Sequence, residues 1–151
     1  MQVVFSEVGY VDNEVEQQTD QNWGNVCSTI ILKDEYRKGL KGLEDFSHVL
    51  VITYLHESEF NIEKHLQRHP RNLSDMPLVG IFSQRAKNRP NPIGVTAVEI
   101  IEINKGNLVV KGLDAIKGTP VLDIKPYYPM YDIVDNARIP DWVEILMTNY
   151  F

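Results

Sequence analysis

Six or seven short runs of apolar and β-branched residues, each broken by a turn or a polar stretch, dictate a sheet of brief strands that reverse often. The runs are Val3–Gly9, Val26–Leu32, Val49–Tyr54, Leu78–Ser83, Ile93–Ile103, Leu108–Leu113 and Val121–Ile124. The strongest local signal is Lys105-Gly106-Asn107, a hairpin turn between two of them. Helix is sparse: a turn within Asp34–Leu43 before Gly42, a weakly helical stretch Ser58–His69 stopped by Pro70, and a terminal helix over Asp141–Met147. From Ile133 onward little else is patterned. Strands this short and numerous predict a mostly β fold with short helical segments, its antiparallel sheet closed into a small barrel or folded as a sandwich. Neither an internal repeat nor a linker interrupts residues 1–151, so a single domain is expected.

A chain of 151 residues can bury a proper core. Its longest apolar stretches, such as Val49–Ile52 and Val95–Ile101, fall far below bilayer-spanning length, and Glu7 and Asp12 interrupt any signal-peptide pattern. The single cysteine, Cys27, excludes a disulfide framework and a multi-cysteine metal cluster, and is expected as a small buried hydrophobe in a strand. The expected setting is the reducing cytoplasm, without membrane contact. A net charge of −6 argues against a nucleic-acid partner until its distribution is considered. Across residues 64–89, Lys64, Arg68, Arg71, Arg85, Lys87 and Arg89 stand against the single acid Asp75, whereas residues 1–63 hold twelve acids and four bases. A basic band on an acidic body can meet phosphates while the body limits non-specific adhesion. The same band also suits a merely solvated loop.

No Gly-x-Gly occurs, so neither a dinucleotide fingerprint nor a phosphate-binding loop of the usual kind is present. The most unusual segment is Phe82-Ser83-Gln84-Arg85-Ala86-Lys87-Asn88-Arg89-Pro90-Asn91-Pro92-Ile93-Gly94. Two prolines flank Asn91, fixing φ on both sides, and the residues before them are held extended. The result is a rigid loop displaying the Asn91 amide, a donor and acceptor together, beside Arg85, Lys87 and Arg89. The alternative is a structural turn with solvated charges. Further on, Thr119-Pro120 leads into a strand on which Asp123 and Lys125 share a face. They form either a structural ion pair or a carboxylate and an ammonium addressing a common site. His65 and His69 have the i, i+4 spacing of zinc ligands on a helix, but the stretch is short and polar, so surface histidines and no metal are expected.

Taken together, these segments resemble the TsaA-like family. The resemblance lies in Gly39–His48 with His56 after the next strand, in Gly80–Arg85 with Arg89-Pro90-Asn91-Pro92-Ile93-Gly94, and in Leu113-Asp114 followed by Gly118-Thr119-Pro120-Val121-Leu122-Asp123-Ile124-Lys125-Pro126-Tyr127. It covers about residues 3–132 in the right order. It implies a β-barrel that binds S-adenosylmethionine, a homodimer, and methylation of N6-threonylcarbamoyladenosine beside the tRNA anticodon. Carried onto this sequence, it places His56, Glu57, Arg85, Leu113 and Asp114 at the cofactor, with Arg89 and Asn91 in or beside the pocket. Many members carry Pro-Arg-Gln in the N-terminal loop. Here that region reads Gln18-Thr19-Asp20-Gln21-Asn22-Trp23-Gly24, and Trp23 is expected to cover the sulfonium or adenine.

Methyl transfer from a sulfonium needs alignment and electrostatics rather than an enzyme nucleophile. Asp123 is expected to accept a hydrogen bond from the acceptor amine, and Lys125 with Arg89 to hold phosphate or a substrate carboxylate. Two other classes compete: a non-catalytic module that binds S-adenosylmethionine or RNA, and a metal-dependent hydrolase built on the histidines.

Overall fold

The computed structural model describes residues 1–151. Its strands are β1 (Gly9–Asp12), β2 (Cys27–Leu32), β3 (His48–Tyr54), β4 (Gln67–Arg68), β5 (Val79–Gly80), β6 (Ile93–Asn104), β7 (Asn107–Lys111) and β8 (Pro120–Pro126). Three short helices accompany them: α1 (Ile62–His65), α2 (Pro129–Asp132) and α3 (Asp141–Leu146). Six strands close into an antiparallel barrel in the order β1-β2-β7-β6-β3-β8, and β8 pairs back onto β1 through Gly9 opposite Val121. The barrel expectation holds and the sandwich does not. Closure removes every free edge from the main sheet.

Alternation along the strands builds the core. Val11 of β1, Ile30 and Leu32 of β2, Val49 and Val51 of β3, Val98 of β6, Leu108 and Val110 of β7 and Val121 of β8 all point inward and are buried. Burying a side chain of this size stabilises the fold by about 1.5–3 kcal/mol. One end of the barrel is plugged by Leu40 and Leu43, carried on 3-10 turns over Asp34–Leu40 and Leu43–Asp45. At the other end the inward positions turn polar, with Thr53 and Ser28 buried beneath the rim and Asn13 beside them. The β6–β7 hairpin turns through Lys105 and Gly106, both left-handed at φ 49° and 77°, as its sequence predicts.

Two bulges adjust the outer wall. The register slips between Ile100 and Glu102 against β7, and between Asp123 and Val121 against Ile52 and Thr53 of β3. The second slip sets Asp123 opposite Ile52 and Lys125 opposite Leu50, while Ile124 between them packs on the core. Asp123 and Lys125 therefore stand on the outside of the barrel.

Several local expectations are corrected. The first strand starts at Gly9, where the predicted Val3–Gly9 run ends; Val8 instead lends its N–H and carbonyl to Val121 and Lys33. Of Leu78–Ser83 only Val79–Gly80 is strand, because Ile81–Ser83 coils into a 3-10 turn and Gln84 ties the Arg68 and Val79 carbonyls. Of Ser58–His69 only Ile62–His65 is helix, capped by the Asn61 side chain. Cys27 is exposed at the first position of β2, on the outer side of the alternation.

Candidate active site

The polar mouth of the barrel is roofed by the proline-bracketed loop and by the turn that follows β3. Leu55 N–H donates to the Pro92 carbonyl at 2.8 Å, Ser58 Oγ donates to the Lys87 carbonyl at 2.7 Å, and Glu59 N–H donates to Asn88 Oδ1 at 3.1 Å. These bonds set the exposed His56 and Glu57 against the basic loop. Asn91 is exposed at the loop's tip, its carbonyl accepting from Ile93 N–H at 2.8 Å. The proline spacing thus yields a stiff platform, as the sequence requires.

Arg85 and Asp114, distant in sequence, both attach to consecutive residues of β6. Arg85 Nη2 donates to the Val95 carbonyl at 2.6 Å. Asp114 Oδ1 accepts from the Thr96 hydroxyl, and Asp114 Oδ2 accepts from the Tyr150 hydroxyl at 2.6 Å. The segment carrying Asp114 is anchored beneath: Leu113 is buried in the core, and Asn13 Nδ2 donates to Ser28 Oγ at 2.9 Å and to the Ala115 carbonyl at 2.8 Å. A half-buried carboxylate, an exposed guanidinium and an exposed amide therefore share one rim. Such a set can accept from hydroxyls or an ammonium and donate to a carboxylate or phosphate.

Other predicted residues take different places. Arg89 Nη1 donates to the Gln84 and Ala86 carbonyls at 3.0 and 3.3 Å, so its guanidinium braces the loop from within. Trp23 is 3% exposed, with its indole N–H on the Thr19 carbonyl at 2.9 Å. Its ring is enclosed beside the C-terminal segment, with no open face at the mouth. Asp123 Oδ2 and Lys125 Nζ form an ion pair of 2.6 Å on the outer wall, and the hydrogen bond that Lys125 donates to Asp123 raises the pKa of its ammonium above the ordinary value. Of the histidines, His65 Nδ1 accepts from Asn61 N–H at 2.8 Å and His69 Nδ1 sits 2.6 Å from the Met76 carbonyl. Helix α1 ends before His69, so the two do not share a helix face.

Sequence reasoning missed Asn13, Thr96 and Tyr150. Asn13 and Thr96 are ordinary polar residues whose partners lie 102 and 18 residues away, and no local pattern marks them. Tyr150 lies in the least patterned part of the chain. Its hydroxyl is held well above the ordinary tyrosine range, first by burial and then by the Asp114 charge, so it remains a donor. A shallow depression lined by Arg37, Lys38 and Lys41 lies at the plugged end, remote from all of these groups.

A closed six-stranded barrel with Arg85, Asn91 and Asp114 at one loop-roofed mouth defines the class. The profile of the tRNA-methyltransferase O N-terminal domain matches residues 12–133, and this chain belongs to that family. Across 94% of its length the chain superposes on the crystal structure of TrmO from Pseudomonas aeruginosa with a TM-score of 0.76 and 29% identity, covering 62% of that protein. It is 38% identical over 124 residues to a probable S-adenosyl-L-methionine-binding protein of Pyrococcus abyssi, covering 80% of this chain and 62% of the relative. A second probable S-adenosyl-L-methionine-binding protein, from Methanothermobacter thermautotrophicus, is 38% identical over 136 residues, 87% of this chain and 95% of that one. The human tRNA (adenine(37)-N6)-methyltransferase is 40% identical over 101 residues, 67% of this chain and 22% of the human protein. The chain thus spans under two thirds of the Pyrococcus, Pseudomonas and human proteins.

Proposed function

We propose that this protein is an S-adenosylmethionine-dependent methyltransferase acting on N6 of an adenosine in tRNA, the acceptor being the threonylcarbamoyl-modified adenosine beside the anticodon. The observation that carries the reading is the meeting of Arg85 and Asp114 on consecutive residues of β6, at the mouth of a family barrel whose relatives are named for this cofactor and this reaction. The rim residues fit the cofactor chemically. Asp114 would accept from its hydroxyl or amino donors, Arg85 would pair with its carboxylate, and the Asn91 amide suits an adenine edge. When bound, S-adenosylmethionine supplies an electrophilic methyl group.

The chain's own residues have then to align and shield. The proline-stiffened loop holds Asn91 and the turn with His56 and Glu57 over the mouth without rearrangement, so alignment is prepaid in the folded state. The acceptor amine would gain its bond to the methyl carbon as the methyl–sulfur bond breaks to leave a neutral thioether, and the amine's proton must leave toward an acceptor. Asp123 takes that role if a second copy of the chain brings its outer wall to the mouth. We therefore propose a homodimer seated on the outer face of β8, β3 and β6, where Tyr54, Ile93, Val95 and Ile101 are 40–48% exposed around Leu50 and Ile52. Lys125, with Lys87 and Lys64, would meet phosphate or the threonine carboxylate. A tRNA substrate supports a cytoplasmic setting.

The test is mass-spectrometric detection of methyl transfer to tRNA carrying threonylcarbamoyladenosine, with tRNA lacking that modification in parallel. N6 methylation of the modified tRNA alone is the expected result. Cofactor binding with no turnover on either tRNA would favour the non-catalytic module. Asp123→Asn and Lys125→Ala that leave single-turnover rates unchanged would reduce that pair to a surface ion pair.

A further inference from the structure

The Asp114 carboxylate is held from one side by β6 and from the other by residues beyond the matched domain, which ends at residue 133. The C-terminal segment returns to the mouth through backbone bonds. Asn22 N–H donates to the Asn149 carbonyl and Trp23 N–H to the Tyr150 carbonyl, both at 2.8 Å. Gly24 makes the approach possible, because a Cβ there would stand 2.6 Å from the Phe151 carbonyl carbon. Arg71 adds a second hold, its guanidinium 5.9 Å from the centroid of the Tyr150 ring and its Nε 3.6 Å from Asp20 Oδ2. Arg71 takes this place in a left-handed conformation, φ 52°, which costs a residue with a side chain about 1–2 kcal/mol. Backbone pairing, a glycine and a strained arginine thus converge on the ring whose hydroxyl ends at Asp114.

We infer that Tyr150 is a positioning residue of the cofactor site: its hydroxyl, opposite that of Thr96, fixes the Asp114 carboxylate so that its free lone pairs receive a nucleoside ligand presenting paired O–H or N–H donors. A carboxylate has about four acceptor positions. Thr96 and Tyr150 each take one, on different oxygens, and one remains on each. A carboxylate already fixed on both oxygens loses less freedom on binding than one free to rotate. The inference rests on the reading that Asp114 lies in the S-adenosylmethionine site.

The experiment is titration calorimetry of the full chain with S-adenosylhomocysteine, comparing the native protein, Tyr150→Phe, Asp114→Asn and the double variant. Tyr150→Phe retains the ring under Arg71 and removes only the hydroxyl, so the thermal midpoint reports packing separately from binding. Expected is an increase in Kd of about tenfold for Tyr150→Phe at unchanged stoichiometry, an increase that vanishes in the Asp114→Asn background. A tail that merely packs would shift the midpoint without this coupling. Tyr150→Phe binding as tightly as the native chain or more tightly, while Asp114→Asn weakens binding, would overturn the inference and leave the site reading intact. Failure of the native chain to bind, or native affinity in Asp114→Asn, would overturn the site reading and the inference with it.

Discussion

Arg89 carries a charge that the fold uses internally. One guanidinium nitrogen, Nη1, reaches two carbonyls of its own loop, and a lysine side chain, one bond shorter, places its ammonium short of them. Arg89→Lys should lower stability by about 1 kcal/mol in urea unfolding while the net charge stays the same. Tyr150 predicts a pH effect of defined sign. Its folded value lies above its ordinary value of 10.0, so the folded state binds the proton more tightly than the unfolded chain. That contribution is fully present below pH 10, and it is lost as pH rises and the unfolded phenol ionises first. Thermal midpoints should therefore fall more steeply above pH 10 in the native chain than in Tyr150→Phe, with parallel profiles between pH 6 and 9. At this scale the motif residues were legible because proline and glycine constrain the backbone locally. Tyr150 was not, because its role depends on a contact 36 residues away.

The β6–β7 hairpin shows what local chemistry can specify. Lys105 and Gly106 both need positive φ, and Gly106 also lies under Arg37, where an added Cβ would sit 2.7 Å from Cδ. Gly106→Ala should cost about 1–2 kcal/mol, read as a lower denaturation midpoint at unchanged m-value. The same kind of reasoning failed between β3 and β6. There Gln84 bridges Arg68 and Val79, and Asn61 caps a helix of one turn, so side-chain bonds override the apolar run Leu78–Ser83 and the helical spacing of Ser58–His69. Apolar periodicity reports strands that bury one face on a core, and this region has only a small sheet of its own.

For the whole molecule, closure and charge distribution matter most. Pairing of β1 with β8 joins residues more than a hundred positions apart, and it rests on the common core rather than on any turn. Leu108→Ala, at a position with no exposure, should destabilise by about 2–5 kcal/mol and loosen the barrel as a unit. The antiparallel sheet was legible from strand length, and the resemblance narrowed it to a barrel, but the strand order was not, because non-local pairing leaves no mark in sequence. Charge works at long range: the basic residues of 64–89 form a band within an otherwise acidic chain. Affinity for tRNA should fall with salt, with a log–log slope of about −2 to −3 if three or four phosphates are contacted, and Lys64→Ala with Lys87→Ala should flatten it.

The central claim is that the mouth bearing Arg85 and Asp114 binds S-adenosylmethionine. Titration calorimetry of the purified chain with S-adenosylmethionine tests it most directly, with Arg85→Ala and Asp114→Ala as comparisons. The account predicts saturable binding at one site per chain, lost or weakened by at least about tenfold in either variant. No detectable binding at millimolar ligand, or native affinity in both variants, would contradict it and leave the family likeness as a likeness of fold.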